Sequence, residues 1–356
     1  MAMRKLILAS LALFSAVHVP AFAETTAPTE ADAVFTDYVF STGERLPELK
    51  IHYTTLGAPK RDASGNISNA IMILHGTGGT GHQFFQPQFA GELFGPGQVL
   101  DTSKYFIILP DNVGHGKSSK PSDGLRMAFP KYDYSDMIAS QHQLVTKTLG
   151  IKKLKLILGT SMGCMHAFMW GSRYPDAVEN LAPFACLPVE IAGQNRMWRK
   201  LSMDAIRADP NWNDGNYTAP PMSGLRTAAT LSLIAGANPL ALQAQYPTRA
   251  AAEAYTNEAF DRVVTRNDAN DIIYQLDSSR TYNPWPTLEA IKAPTLWINS
   301  ADDFINPANY GITERAIKRM PNAKFILIPA SADTKGHGTH TWAKFWKDDL
   351  AALLAQ

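Results

Sequence analysis

The stretch L-I-L-G-T-S-M-G-C-M-H at residues 156–166 decides how this sequence is read. An apolar run enters a Gly-x-Ser-x-Gly turn, Gly159-Thr160-Ser161-Met162-Gly163, and residues with helical spacing leave it. Strand, sharp turn and helix in that order form a nucleophile elbow, which lifts the serine hydroxyl above the end of a sheet. Glycine at 159 and 163 is then a steric requirement, because side chains there would collide with the neighbouring strand and helix. The helix N-terminus behind Ser161 favours negative charge developing near it. The bland alternative, a serine in an ordinary turn, has no need of strand, motif and helix together.

Outward from this turn, strands and helices alternate. Residues 70–74 (A-I-M-I-L) and 105–109 (Y-F-I-I-L) are continuous apolar runs, as in strands buried on both faces. Earlier strands are expected at 34–40 and 49–54, a helix at 134–149, a strand at 154–158, a helix at 162–174 and a strand at 180–185. From 188 to 285 the rhythm breaks into helical pieces rich in Ala, Asn, Arg, Pro and aromatics. It resumes with strands at 295–299 and 324–329 and a last helix at about 341–354. The alternation predicts an α/β fold, a mostly parallel central sheet with helices on both faces. The domain expectation is a core in two parts, 24–187 and 286–356, with a helical cap inserted at 188–285.

A serine hydroxyl is a weak nucleophile without a base, and on this fold the order is Ser, acid, His. After the expected strand at 295–299 come Asp302 and Asp303. Asp303, four residues before Pro307, is the favoured acid and Asp302 the alternative. After the strand at 324–329 comes Gly336-His337-Gly338-Thr339-His340. His337, in a glycine-flanked loop, is favoured over His340. For the oxyanion hole, the N–H of Met162 and that of Thr77, in the loop H-G-T-G-G at 75–79, are the candidates. His52, His82, His115, His142 and His166 are assigned no role.

Composition narrows the function classes. A net charge of +1 leaves no footprint for nucleic acid or an anionic membrane. No Cys-x-x-Cys pair occurs, and His-x-x-His at 337–340 has no third ligand near it, so no metal is expected. Residues 1–23 read as a secretory signal peptide: Arg4 and Lys5, an apolar run at 6–17 too short to span a bilayer, and Ala21-Phe22-Ala23 as the cleavage site. The expected mature chain starts at Glu24 with a loose tail to residue 30, and works in the periplasm or outside the cell with no membrane anchor. Cys164 and Cys186 are the only cysteines. They could pair in an exported protein, but two buried free thiols are the favoured reading.

Several stretches also carry a likeness. They are Phe94-Gly95-Pro96-Gly97, Leu100-Asp101-Thr102, Phe129-Pro130, Asp136-Met137-Ile138, Leu149-Gly150-Ile151, the elbow with Trp170 and Tyr174-Pro175-Asp176, and Asp209-Pro210-Asn211-Trp212. On these the chain resembles the α/β-hydrolase superfamily, and within it the homoserine O-acetyltransferase-like group. It departs from that group at three places. The elbow is Gly-Thr-Ser-Met-Gly-Cys, not Gly-Gly-Ser-Met-Gly-Gly. Residues 111–119 (D-N-V-G-H-G-K-S-S) look like ordinary hydrolases. Gly338 stands where the resemblance implies an aspartate that holds the amino-acid substrate, whose ammonium would lose its partner.

The leading expectation is therefore an exported serine hydrolase of carboxylic esters or related acyl compounds. Ser161 is its nucleophile, His337 its base and Asp303 the orienting acid, with no cofactor and a small-molecule acyl substrate. The alternative is an O-acyltransferase of the homoserine O-acetyltransferase type. Against it stand Gly338 and the export signal, because acetyl-CoA is cytosolic. A non-catalytic binding protein would not need a complete, ordered triad. The sequence is compatible with a homodimer and leaves oligomeric state open.

Overall fold

The computed structural model describes residues 27–356, with backbone alone for 262–266. The expected signal peptide, its cleavage site and Glu24 lie outside the described residues. Eight strands form one sheet: β1 (Thr29–Val39), β2 (Arg45–Leu56), β3 (Ala70–Leu74), β4 (Phe106–Pro110), β5 (Leu156–Thr160), β6 (Leu181–Phe184), β7 (Thr295–Ser300) and β8 (Ala323–Ile328). Their order is β1-β2-β4-β3-β5-β6-β7-β8. The six strands from β4 to β8 run parallel, and the β1–β2 hairpin is antiparallel at one edge.

The central runs are fully buried. β3, β4 and β5 carry no exposed position, and successive side chains pack into two separate cores. Met72, Leu74 and Ile157 face one layer with Phe168 and Trp297; Ile71, Ile73, Leu156 and Leu158 face the other with Phe89 and Trp346. This two-sided burial is why these strands read as unbroken apolar runs.

Core helices are α1 (Ala90–Leu93), α2 (Tyr134–Gln143), α3 (Met162–Arg173), α9 (Ile312–Ile317) and α10 (Lys347–Leu354). Between β6 and β7 the chain adds no strand. It runs through α4 (Gly193–Ala208), α5 (Met222–Gly236), α6 (Pro239–Gln245), α7 (Arg249–Arg266) and α8 (Ala269–Asp277). These helices have a small core of their own, built on Met203, Ile206, Trp212, Leu225 and Ile273. Polar ties join them to the core. Gln275 donates to the Gly114 carbonyl, and Asp271 accepts from the N–H and hydroxyl of Ser122.

Several expectations need correction. β1 begins at Thr29, inside the expected loose tail, because Thr29 and Glu30 pair with Thr55 and Thr54 of β2. The helix expected at 134–149 is α-helical only to Gln143 and widens into a π turn at Leu144–Thr148. The last helix starts at Lys347, not near 341. Before it, short 3₁₀ turns carry the chain, and the Ala343 N–H is drawn to the Gln88 carbonyl (3.0 Å). Cys164 and Cys186 are not free thiols: they form a disulfide. Cys164 lies in the first turn of α3 and Cys186 two residues past β6. Because β5 and β6 are neighbours, the elbow brings their Cα atoms to 5.8 Å, inside the span a disulfide bridges.

Candidate active site

The elbow is held by contacts that only glycine permits. A Cβ on Gly159 would lie 1.9 Å from the Gly163 carbonyl oxygen, and one on Gly163 would lie 2.1 Å from that of Leu74. Ser161 itself has φ 56° and ψ −111°. Positive φ at a serine is a strained conformation, kept by its surroundings: the Ser161 N–H donates to the Phe184 carbonyl of β6 (2.9 Å).

Ser161, Asp303 and His337 come together from three parts of the chain. Asp303 follows β7 and is buried; its Oδ1 accepts the N–H groups of Ile305 (2.8 Å) and Asn306 (3.0 Å). Its Oδ2 lies 2.8 Å from His337 Nδ1, and His337 Nε2 lies 2.8 Å from Ser161 Oγ. A carboxylate only accepts, so Nδ1 carries the proton and donates to Asp303. Nε2 is left to accept the Ser161 hydroxyl, the arrangement a general base needs.

The alternatives have other work. Asp302 accepts from Ser300, from the Thr334 hydroxyl (2.7 Å) and from the Gly336 N–H (3.1 Å), so it braces the loop that carries His337. His340 packs edge-on against the His337 ring at 5.1 Å and is half-buried, and desolvation keeps its pKa well below the ordinary histidine value. Thr77 and Met162 both adjoin the nucleophile. Met162 is the first residue of α3, where the N–H has no intrahelical acceptor. Gly76 packs so near Ser161 that a Cβ there would sit 3.2 Å from the serine Cβ, and Thr77 lines the cavity beside it.

That cavity has a volume of about 350 Å³, and Ser161, His337, Thr77, Trp198, Arg199 and Gln275 are among its lining residues. Arg199 and Gln275, which the sequence reading did not assign, come from α4 and α8. A signal for Arg199 exists: buried Asn195, Arg199, Ser202, Met203 and Ile206 recur at helical spacing, which places a cation on the inward stripe of α4. Beneath the site lie buried His75, His115 and His166. Burial lowers His75 to about 4 and His115 to about 3, and holds His166 well below the ordinary value, so all three are neutral. Among the described residues no cluster of three or more His, Cys, Asp or Glu could hold a metal ion, and no helix is long and apolar enough to cross a membrane.

Comparison with known proteins agrees with this fold. The family described as alpha/beta hydrolase fold matches residues 69–333. A homoserine O-acetyltransferase of Chloroherpeton thalassium is 30% identical over 328 residues, covering 83% of this chain and 81% of the relative. Among solved structures, a homoserine O-acetyltransferase from Bacillus anthracis superposes with a TM-score of 0.81 at 22% identity, over 92% of this chain and 98% of the other. An acetylester hydrolase from Corynebacterium glutamicum does so with 0.81 at 22%, over 92% and 96%. At that identity the two structures speak for the fold alone. The chain belongs to the α/β-hydrolase family, in its homoserine O-acetyltransferase-like group.

Proposed function

We propose that the protein is an O-acyltransferase working through an acyl-enzyme on Ser161. The observation that carries this reading is the Asp303–His337–Ser161 chain of hydrogen bonds, opening on a cavity sized for a small acyl compound. Ser161 Oγ attacks the acyl carbonyl while His337 Nε2 takes its proton. Asp303 holds the ring in the required tautomer and stabilises the imidazolium. The N–H groups of Met162 and Thr77 receive the oxyanion. His337 returns the proton to the leaving group, then takes one from the acceptor hydroxyl as that attacks the acyl-enzyme, and passes it to Ser161 Oγ as the acyl–oxygen bond to the serine breaks. The sequence relatives support an alcohol as acceptor.

A second reading, hydrolysis with water as acceptor, is favoured by Gly338, which gives an amino-acid acceptor no carboxylate beside His337. One experiment separates the two. Purified protein receives a short activated acyl ester with and without an alcohol acceptor, and the acylated products are quantified beside Ser161→Ala. Capture of most of the acyl group by the alcohol supports transfer; free acid alone supports hydrolysis. Equal turnover by Ser161→Ala would remove both.

Export from the cytosol is part of the proposal, so the acyl donor it implies is an ester available outside the cytosol and not acetyl-CoA. The Cys164–Cys186 disulfide supports it, since such bonds persist in oxidising compartments. Cell fractionation tests it.

A further inference from the structure

The cavity holds a cation that the triad does not use. Arg199 is 2% exposed and lines the same cavity as Ser161 and His337. Its Nε donates to Asn195 Oδ1 (2.9 Å) and its Nη1 to Ser279 Oγ (3.4 Å), both neutral partners. Asp277, at the end of α8, is committed elsewhere: it pairs with Arg196 (3.7 Å) and Arg280 (3.5 Å). Among the described residues Arg199 forms no ion pair. A buried guanidinium without a counter-ion is strongly unfavourable unless something supplies the charge.

The polar surroundings point the same way. Trp198 Nε1 is buried without a partner, and Trp198 lines the cavity together with Thr77. The buried Tyr134 hydroxyl lies beside Thr77, Arg199 and Ser279; burial raises its pKa, so it adds hydrogen bonding to Arg199 but no counter-charge. An orphaned donor beside a cation with only neutral partners describes a place for an anionic oxygen group. Equally telling, no Asp or Glu is among the described residues lining the cavity. An ammonium entering there would meet Arg199 and no carboxylate.

We propose that Arg199 binds a carboxylate of the substrate, and that this substrate carries no ammonium group: an ester of a hydroxy acid or of a dicarboxylic acid rather than of an amino acid. The inference rests on Ser161 being acylated at this cavity, and its test does not depend on turnover.

Ser161→Ala protein is titrated calorimetrically with four compounds. Succinate places the carboxylate on the acyl half, 4-hydroxybutyrate places it on the alcohol half, 4-hydroxybutyramide removes the charge, and homoserine adds an ammonium to 4-hydroxybutyrate. The expected result is binding of at least one carboxylate, at least tenfold tighter than the amide, with homoserine no tighter than 4-hydroxybutyrate. Arg199→Gln in the same background should abolish the preference for charge. Arg199→Lys should retain a reduced one, because it keeps the cation and loses the planar fork. If Arg199→Gln fails to fold, the parent and the lysine variant still decide.

Equal binding of amide and carboxylates, no measurable binding of either carboxylate, or a preference that survives Arg199→Gln overturns the proposal. Homoserine binding tenfold tighter than 4-hydroxybutyrate overturns the exclusion of ammonium. Carboxylate binding that depends on Arg199, in a protein whose Ser161 never becomes acylated, would remove the acyltransferase reading and leave the anion site standing.

Discussion

The side-chain amide of Asn238, between α5 and α6, donates to the carbonyl of Thr334, three residues before His337 (2.6 Å). The same amide reaches the Ser331 carbonyl (3.1 Å), while its oxygen accepts the N–H groups of Leu240 and Ala241 and caps α6. Gly336 packs against this junction: a Cβ there would lie 2.6 Å from the Ala237 carbonyl oxygen. The helical insertion therefore holds the histidine loop from one side and Asp302 from the other.

Asn238→Asp keeps the helix cap and removes the donated hydrogen bonds; Asn238→Ala removes both. We expect kcat to fall about tenfold or more in both variants, with a smaller change in KM, because the loss falls on the placement of the base. Buried carbonyls left without a donor should also cost about 1–3 kcal/mol of stability. Steady-state kinetics with denaturant unfolding checks this. Wild-type kcat in Asn238→Asp would mean that the grip on the loop has no bearing on catalysis.

The juxtaposition of Ser161, His337 and Asp303 was legible in the sequence because chemistry fixes their order and sterics fixes their setting. The glycines flanking Ser161 are required by backbone oxygens 1.9 and 2.1 Å from the missing Cβ positions, and a local motif records that. Asp303, not Asp302, was readable from its spacing to Pro307. The Cys164–Cys186 bond was not, since it depends on β5 and β6 being neighbours, which no local pattern states. Arg199 was missed for a related reason. Its burial follows from helical phase, but its lack of an acid partner appears only when α4, α8 and the core meet. The first residues of β1 were hidden because a polar strand at a sheet edge lacks the apolar alternation that marks a strand.

Gly163→Ala should be among the most damaging small changes in the molecule. The Cβ would meet the Leu74 backbone, which cannot swing away as a side chain does. We expect a loss of about 3 kcal/mol or more together with loss of activity. Gly91→Ala, where nothing lies within 4 Å of the added atom, is the control and should stay within about 1 kcal/mol of wild type. Matching urea midpoints for the two variants would contradict the elbow geometry.

The disulfide closes a separation of 22 residues around the elbow. Chain-entropy arguments put its contribution at about 3 kcal/mol. Unfolded, unreduced protein should show no thiol reactive towards Ellman's reagent. The Cys164→Ala/Cys186→Ala double variant should unfold at lower urea. Two reactive thiols in unreduced protein would return the cysteines to the free state.

Stability should fall as the solution is acidified below neutrality. His75, His115 and His166 are neutral when folded because burial lowers their pKa values, to about 4 for His75 and about 3 for His115. The unfolded chain takes up these protons near pH 6.5, so their contribution is complete above that pH and is lost as pH falls towards 4. For His75 alone the shift corresponds to about 3 kcal/mol. Asp271 and Asp136 oppose this: burial raises both, Asp271 to about 6, so Asp271 gains a folded-state proton first and adds stability as pH drops through 6. Three histidines outweigh the two carboxyls. Thermal unfolding at pH 7.5 and pH 5 should give a lower midpoint at pH 5, with proton uptake on unfolding; an unchanged midpoint would mean that the histidines are not neutral and buried.

Gly338→Asp tests what separates this chain from acyl transfer to an amino acid. A Cβ at 338 would meet only the Lys335 Cβ, at 3.6 Å, so a larger residue fits without backbone movement. None of the described residues lining the cavity bears a carboxylate, and Arg199 repels an ammonium. An aspartate next to His337 would supply the missing counter-charge for a zwitterionic acceptor. The variant should therefore pass a larger share of its acyl groups to homoserine than wild type does, by roughly the tenfold that one charge-assisted contact provides. The share passed to 4-hydroxybutyrate should not rise. Product partition between free acid and the two acylated acceptors reads this directly. An equal rise for both acceptors would show that the substitution merely excludes water, and that the ammonium has no partner at this position.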